Sequence, residues 1–264
     1  MQSGNRLVVV IPIYKEGLTE SEIISLKRVI KVLSNRDFSI VCPENLAVTN
    51  YLNYFVQAGV KVLVQRFDDN YFNSIEGYNR LMLSVEFYSR FTLWTYLIIY
   101  QLDSFIFKDD LEKWIEADYD YIGAPWPNHE RALNFYKSLI YSRYKLIGLL
   151  KKTIDFNKGE RVFVGNGGLS FRKVSKFKMI SKILHLFFRR HLAGQINEDY
   201  IWSILVTKYF ASFRVPPATI ASKFALEESV EPIDLGSIES LPVACHAWEK
   251  YYPLLWKSVI NKFD

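Results

Sequence analysis

The alternation of short, fully apolar runs with stretches of helical periodicity constrains this chain more than any other feature. Leu7-Val-Val-Val-Ile-Pro-Ile13 reads as a first buried strand, and Phe38-Ser-Ile-Val-Cys-Pro43 and Lys61-Val-Leu-Val-Gln-Arg-Phe67 as a second and a third strand. Between them, Thr19-Glu-Ser-Glu22 opens a helix through about Leu33, with Thr19 as N-cap and Glu22 completing a capping box. A second helix runs from about Thr49 to Gln57 and stops at Ala58-Gly59, where glycine permits a left-handed cap. A third helical stretch, Ser74 to Arg90, precedes the strand Tyr96-Leu-Ile-Ile-Tyr-Gln-Leu-Asp-Ser-Phe-Ile-Phe107, and Tyr119-Asp-Tyr-Ile-Gly-Ala124 forms a shorter strand. Strand–helix alternation implies parallel pairing and a nucleotide-binding type of α/β sheet in the first half.

The second half loses that rhythm. After Pro125-Trp-Pro127, basic and aromatic residues interleave from Arg131 to Lys152, which reads as an insertion or flap suited either to an anionic membrane surface or to packing on the sheet. A second basic cluster, Lys173 to Arg190, reads as an amphipathic helix packed on the sheet. One domain is expected, with a nucleotide-binding half (1–127), an insertion (128–160) and an acceptor or catalytic half (161–264). With 264 residues, half of them hydrophobic, the chain can bury a large core. Its apolar runs are far shorter than the ~20 residues of a membrane-spanning helix. Met1 to Arg6 carry no secretory signal, and Cys42 and Cys245 suggest neither a disulfide framework nor a zinc site, so a reducing cytoplasm is expected. The net charge of +5 is too mild to name a partner, and no nucleic acid is expected.

Four places can carry chemistry. Asp103 lies at the end of an apolar strand, where an unpaired carboxylate is costly inside; it either meets a cation at the mouth of the sheet or caps the next turn. Gly165-Asn-Gly-Gly168 allows positive φ and close approach of a ligand, or makes a plain hairpin; it lacks the Walker lysine and the GxGxxG spacing of a phosphate loop. Asn197-Glu-Asp199 places two carboxylates at a helix start, where the dipole favours their ionised forms; one can cap while the other faces a cleft as a base. His246, in an aromatic setting, gains meaning beside Asp103 as a nitrogen ligand of a Mn²⁺-type cation.

The order of motifs resembles a glycosyltransferase of the GT-A fold, and more closely a family of polysaccharide-locus proteins catalogued as a domain of unknown function. The residues that carry the resemblance are Pro12-Ile-Tyr-Lys-Glu16, Tyr100-Gln-Leu-Asp-Ser104, Asp120-Tyr-Ile-Gly-Ala-Pro-Trp126, Val164-Gly-Asn-Gly-Gly-Leu-Ser-Phe-Arg172, Asn197-Glu-Asp199, Lys223-Phe-Ala-Leu-Glu227 and Cys245-His-Ala-Trp248. The resemblance implies a GT-A-like, Rossmann-type mixed sheet flanked by helices. It implies an inverting transferase that moves a sugar from a nucleotide-diphosphate donor, most simply a UDP-sugar, to a glycan or lipid-linked acceptor of a bacterial surface polysaccharide. By the same resemblance Asp103 and His246 hold a divalent cation, Mn²⁺ or Mg²⁺, with Gln101 standing where the metal motif has its first carboxylate. Asp199 is the base and Glu198 its alternative. Pro12, Tyr14, Glu16, Gln101, Asp103 and Ser104 bind the donor, and Trp126, Asn166, Gly167, Gly168 and Trp248 form the acceptor or sugar pocket. A cytoplasmic protein, peripheral at the inner face of the plasma membrane, follows from that role. A sugar nucleotidyltransferase, or an inactive carbohydrate- or membrane-binding module, are the other readings of the same residues.

Overall fold

The computed structural model describes residues 6–126, 164–188, 197–229, 237 and 239–263. Its centre is strand β1 (Leu7–Pro12), buried along its whole length. Parallel neighbours β2 (Asp37–Pro43) and β4 (Tyr96–Tyr100) flank it, and β3 (Val62–Phe67) extends the sheet beyond β2. The side-chain alternation of β1 defines two core layers. Leu7, Val9 and Ile11 pack with helices α1 (Glu20–Val32) and α2 (Thr49–Ala58), whereas Val8 and Val10 face helices α3 (Ile75–Met82) and α4 (Val85–Ser89) and the helix Val174–Phe188.

Local signals place the first elements closely. The Thr19 hydroxyl accepts the Glu22 amide at 3.3 Å while the Glu22 carboxylate accepts the Thr19 amide at 2.8 Å, closing the expected capping box. Gly59 ends α2 in the left-handed region at φ 67°. The stretch Ser74 to Arg90 is two helices rather than one: Ser84 leaves helical geometry and its hydroxyl accepts the Phe87 amide at 3.0 Å, starting α4.

Parallel pairing stops at β4. Strand β7 (Leu169–Lys173) runs antiparallel to β4, and β6 (Tyr121–Ile122) antiparallel to β7, completing a six-stranded mixed sheet in the order β3-β2-β1-β4-β7-β6. The long run through Asp103 is likewise not one strand. It leaves the sheet after Tyr100, turns at Gln101-Leu-Asp103, and resumes as β5 (Phe105–Ile106) in a second sheet of three strands with β9 (Ala244–Cys245) and β8 (Ala225–Leu226). The turn is fixed by the Gln101 amide donating to the Gly168 carbonyl and the Ser104 amide donating to the Gln101 carbonyl, at 2.8 and 2.9 Å.

The helix Val174–Phe188 packs on the sheet through Phe177, Ile180 and Leu184, as its basic, amphipathic sequence predicts. The basic-aromatic segment Arg131 to Lys152 and the insertion 128–160 lie outside the described residues. Among the described residues no helix is long and apolar enough to cross a membrane.

Candidate active site

A cavity of about 590 Å³ opens beyond the carboxyl ends of β1 and β4, the place where open α/β sheets bind ligands. Its floor is the glycine turn ahead of β7. Asn166 organises that turn: its Oδ1 accepts the amides of Gly168 and Leu169 at 2.8 and 2.9 Å, and its Nδ2 donates to Glu227 at 2.5 Å. A Cβ on Gly168 would run into the His246 imidazole and the Gln101 amide, and one on Gly167 would press on the Glu198 carboxylate. The glycines are therefore required by close approach across the floor.

On one side of this floor, His246 Nε2 and Asp103 Oδ1 face each other at 3.1 Å. Both atoms are buried, and neither makes an aligned hydrogen bond. The other ring nitrogen, Nδ1, lies 3.0 Å from Glu227 Oε1, so Glu227 receives Asn166 on one oxygen and His246 on the other. Burial opposes a charge on the imidazole, but Asp103 and Glu227 outweigh it and raise His246 to about 9. Burial likewise opposes the Asp103 charge, and His246 overcomes it, holding that carboxyl below its usual range. The two form a carboxylate–imidazolium contact; once the Nε2 proton leaves, one carboxylate oxygen and one imidazole nitrogen, the latter oriented from behind by a carboxylate, are ligand types that a Mn²⁺-type cation takes. Among the described residues no group of three or more histidine, cysteine, aspartate or glutamate side chains gathers as a closed metal site.

On the other side are the two adjacent acids, and the structure separates them. Glu198 is 2% exposed and forked by the fully buried Arg172 of β7, with Nη2 to Oε1 at 2.6 Å and Nη1 to Oε2 at 3.2 Å. Arg172 also donates to the Tyr88 hydroxyl and the Ser170 hydroxyl, both at 2.9 Å. The Glu198 backbone amide donates to Asn79 Oδ1 at 3.1 Å, tying this helix start to α3. Among the described residues Asp199 makes no ion pair; its Oδ1 accepts the adjacent Tyr200 amide at 2.8 Å. Burial, and then the neighbouring Glu198 charge, push Asp199 up to about 7. Burial rather than the helix dipole is the largest influence on both acids and raises both, with the Arg172 charge opposing it at Glu198. The helix begins at Glu198–Tyr200 and widens to π winding over Ile201–Val206, and Asn197 makes no side-chain cap.

The cavity brings together Pro12, Tyr14, Gln101, Asp103 and Asn166 with Gly167, Gly168, Glu198, Asp199 and His246. Four expected site residues are elsewhere. Glu16 is exposed beyond the cavity mouth. Ser104 is fully buried, its carbonyl accepting the Ser25 hydroxyl at 2.6 Å beneath the site. Trp126 packs on Tyr200 with ring centroids 4.7 Å apart, and Trp248 is buried in the small core around Phe105, Phe107 and Trp256. Large aromatic rings near a motif found apolar packing instead of the pocket, because burial of their area dominates.

Sequence reasoning assigned no role to Tyr78, Asn79, Arg172 or Glu227. Arg172 had a usable signal: an arginine directly after Leu169-Ser-Phe171 in an apolar strand requires a buried acid. Tyr78 and Asn79 had none, because a helix so far from the other motifs in sequence reaches the cavity only through the fold. Lys15 and Glu22 form a bridge of 2.9 Å at the mouth.

No curated protein matches the sequence. The fold is similar to that of the galactosyltransferase LgtC, solved in complex with donor and acceptor sugar analogs, with a TM-score of 0.56 and 13% identity over 97% of this chain and 95% of that one. It is also similar to the bifunctional glycosyltransferase WbbM in its apo structure, with a TM-score of 0.53 and 11% identity over 98% of this chain and 50% of that one. The architecture is thus a GT-A-like fold related to those of nucleotide-sugar glycosyltransferases. Residues 61–246 match the family described as "Protein of unknown function (DUF5672)", and the chain belongs to that family.

Proposed function

We propose that the chain is an inverting glycosyltransferase that transfers a sugar from a nucleotide-diphosphate donor, a UDP-sugar in the simplest case, to a glycan or lipid-linked acceptor. The observation that carries this reading is the division of labour across one cavity. The Asp103–His246 pair stands on one side of the glycine floor, and Asp199, the acid without a cation partner among the described residues, stands on the other.

Asp103 and His246 would hold a divalent cation, with Glu227 orienting the imidazole through Nδ1. Such a cation, when bound, stabilises negative charge on a departing diphosphate. Pro12 and Tyr14, at the end of β1, form the wall that suits the base and ribose, and Gly167 and Gly168 let the sugar ring lie against the floor. Asp199 removes the proton of the acceptor hydroxyl as the new bond forms. A carboxyl raised to about 7 is a stronger base than an ordinary aspartate and is still substantially ionised at neutral pH. Glu198 cannot share this role, because its two oxygens are occupied by the Arg172 fork. Displacement assisted by a base on the face opposite the leaving group inverts the anomeric centre.

A role in polysaccharide synthesis places the protein in the cytoplasm at the inner face of the membrane, with the acceptor approaching from the bilayer. The test is a panel of nucleotide sugars with Mn²⁺ or Mg²⁺, reading donor turnover together with the anomeric configuration of the product by NMR. Inversion with one donor supports the reading. Retention of configuration would remove Asp199 as base, and no turnover or binding with any donor would remove the transferase reading altogether.

A further inference from the structure

Tyr78 is the buried polar group in this cavity that the mechanism leaves unused. It sits on α3, and the placement of that helix is tightly defined. Ser74 caps it by accepting the Gly77 amide at 3.1 Å, and Gly77 packs so closely on the carbonyls of Asn70 and Tyr71 that any side chain there would collide with them. The next residue, Asn79, is tied to the Glu198 amide. The ring of Tyr78 is packed against the core layer beneath, its hydroxyl is buried and, among the described residues, makes no well-aligned hydrogen bond, the Gln101 side chain being its nearest polar partner, and the residue lines the cavity. The charged groups that act on this hydroxyl are Arg172 and Glu198 on one side and Asp103 on the other, with the Gln101 side chain beside it. Burial pushes the phenol far above its usual range, so it is a neutral O–H donor at any physiological pH.

A buried hydroxyl without a partner costs stability unless a ligand completes it. We propose that Tyr78 donates a hydrogen bond to a hydroxyl of the transferred sugar and is a specificity-determining residue of the donor site. The inference rests on the glycosyltransferase reading above, which places the diphosphate at Asp103 and His246 and the acceptor proton at Asp199. Tyr78 lines the same cavity as those two positions and feels both Asp103 and Glu198, the neighbour of Asp199, which puts it within the space open to the donor sugar. A hydroxyl there discriminates strongly, because a donor lacking the matching group leaves the phenol unpaired.

The test is calorimetric binding, with Mn²⁺ present, of UDP, UDP-glucose, UDP-galactose, UDP-N-acetylglucosamine, GDP and GDP-mannose to the intact chain and to Tyr78→Phe. The variant is expected to bind the preferred nucleotide sugar about 3- to 10-fold more weakly, the range of one neutral hydrogen bond. Its affinity for the bare nucleotide is expected to stay unchanged. Its melting temperature is expected to hold or rise, since the substitution removes an unsatisfied buried hydroxyl. An equal loss for nucleotide and nucleotide sugar would assign the hydroxyl to the diphosphate or base and overturn the proposal. Unchanged affinity for both would also overturn it, and a lower melting temperature would make the hydroxyl structural. If the unmodified chain binds none of the six ligands, the glycosyltransferase reading fails first and the role of Tyr78 with it. If it binds nucleotide sugars and only the Tyr78 comparison is flat, the reading stands and the residue assignment alone falls.

Discussion

Two carboxylates adjacent in sequence have opposite fates, and burial decides which. Both line the cavity, but Glu198 is forked by Arg172, whereas Asp199 has no counter-charge bonded to it among the described residues. Removing one member of a buried pair strands the other, so Arg172→Ala is expected to cost about 3–5 kcal/mol, measurable by denaturant unfolding. Asp199→Asn is expected to behave in the reverse sense. The folded chain holds the Asp199 proton more tightly than the unfolded chain, so this group's stabilisation is full below the unfolded carboxyl value of about 4. It is lost as pH rises through about 7. The asparagine variant should therefore melt higher than the unmodified chain at pH 8, with a smaller difference at pH 5, while the single-turnover rate falls about 10²-fold or more. With the native carboxylate, kcat/KM should rise with pH through about 7; a flat profile together with a normal Asp199→Asn rate would remove the base assignment.

At the scale of elements, the site depends on how closely the glycine turn approaches the turn after β4 and the segment around His246. Gly168→Ala forces a methyl group into the His246 ring and the Gln101 amide, so it should abolish cation-dependent nucleotide binding, read by calorimetry. Gly17→Ala is the matched control, because a Cβ there meets nothing within 4 Å. The first helix offers an independent check of local sequence logic. Thr19→Ala removes the hydroxyl of the capping box and should cost about 1 kcal/mol without changing ligand affinity.

At the scale of the molecule, the mixed sheet and the small second sheet converge so that Asp103 and His246, 143 positions apart in the chain, share one wall of the cavity. A cation that binds the folded chain alone raises its stability by mass action. Millimolar Mn²⁺ should therefore raise the melting temperature of the unmodified chain, and the increment should vanish in Asp103→Asn and in His246→Ala. Equal increments in all three proteins would place cation binding elsewhere.

The sequence by itself determined the elements whose causes are local. The capping box of α1, the left-handed stop at Gly59 and the strands β1, β2 and β3 need only side chains a few residues apart, and all were legible there, although β3 is a partly exposed edge strand. It also named Asp103, Asp199, His246 and the glycine turn, because unpaired charge and repeated glycine are conspicuous in an apolar setting. Only the tertiary structure decided that the run through Asp103 breaks at Gln101, since the break is imposed by a backbone bond to Gly168. The same holds for the antiparallel turn of β7, for the pairing of Glu198 with Arg172, and for the arrival of Tyr78 and Glu227 at the cavity. Each depends on which distant group fills the remaining space or neutralises a buried charge, and desolvation acts on the three-dimensional neighbourhood rather than on the order of residues.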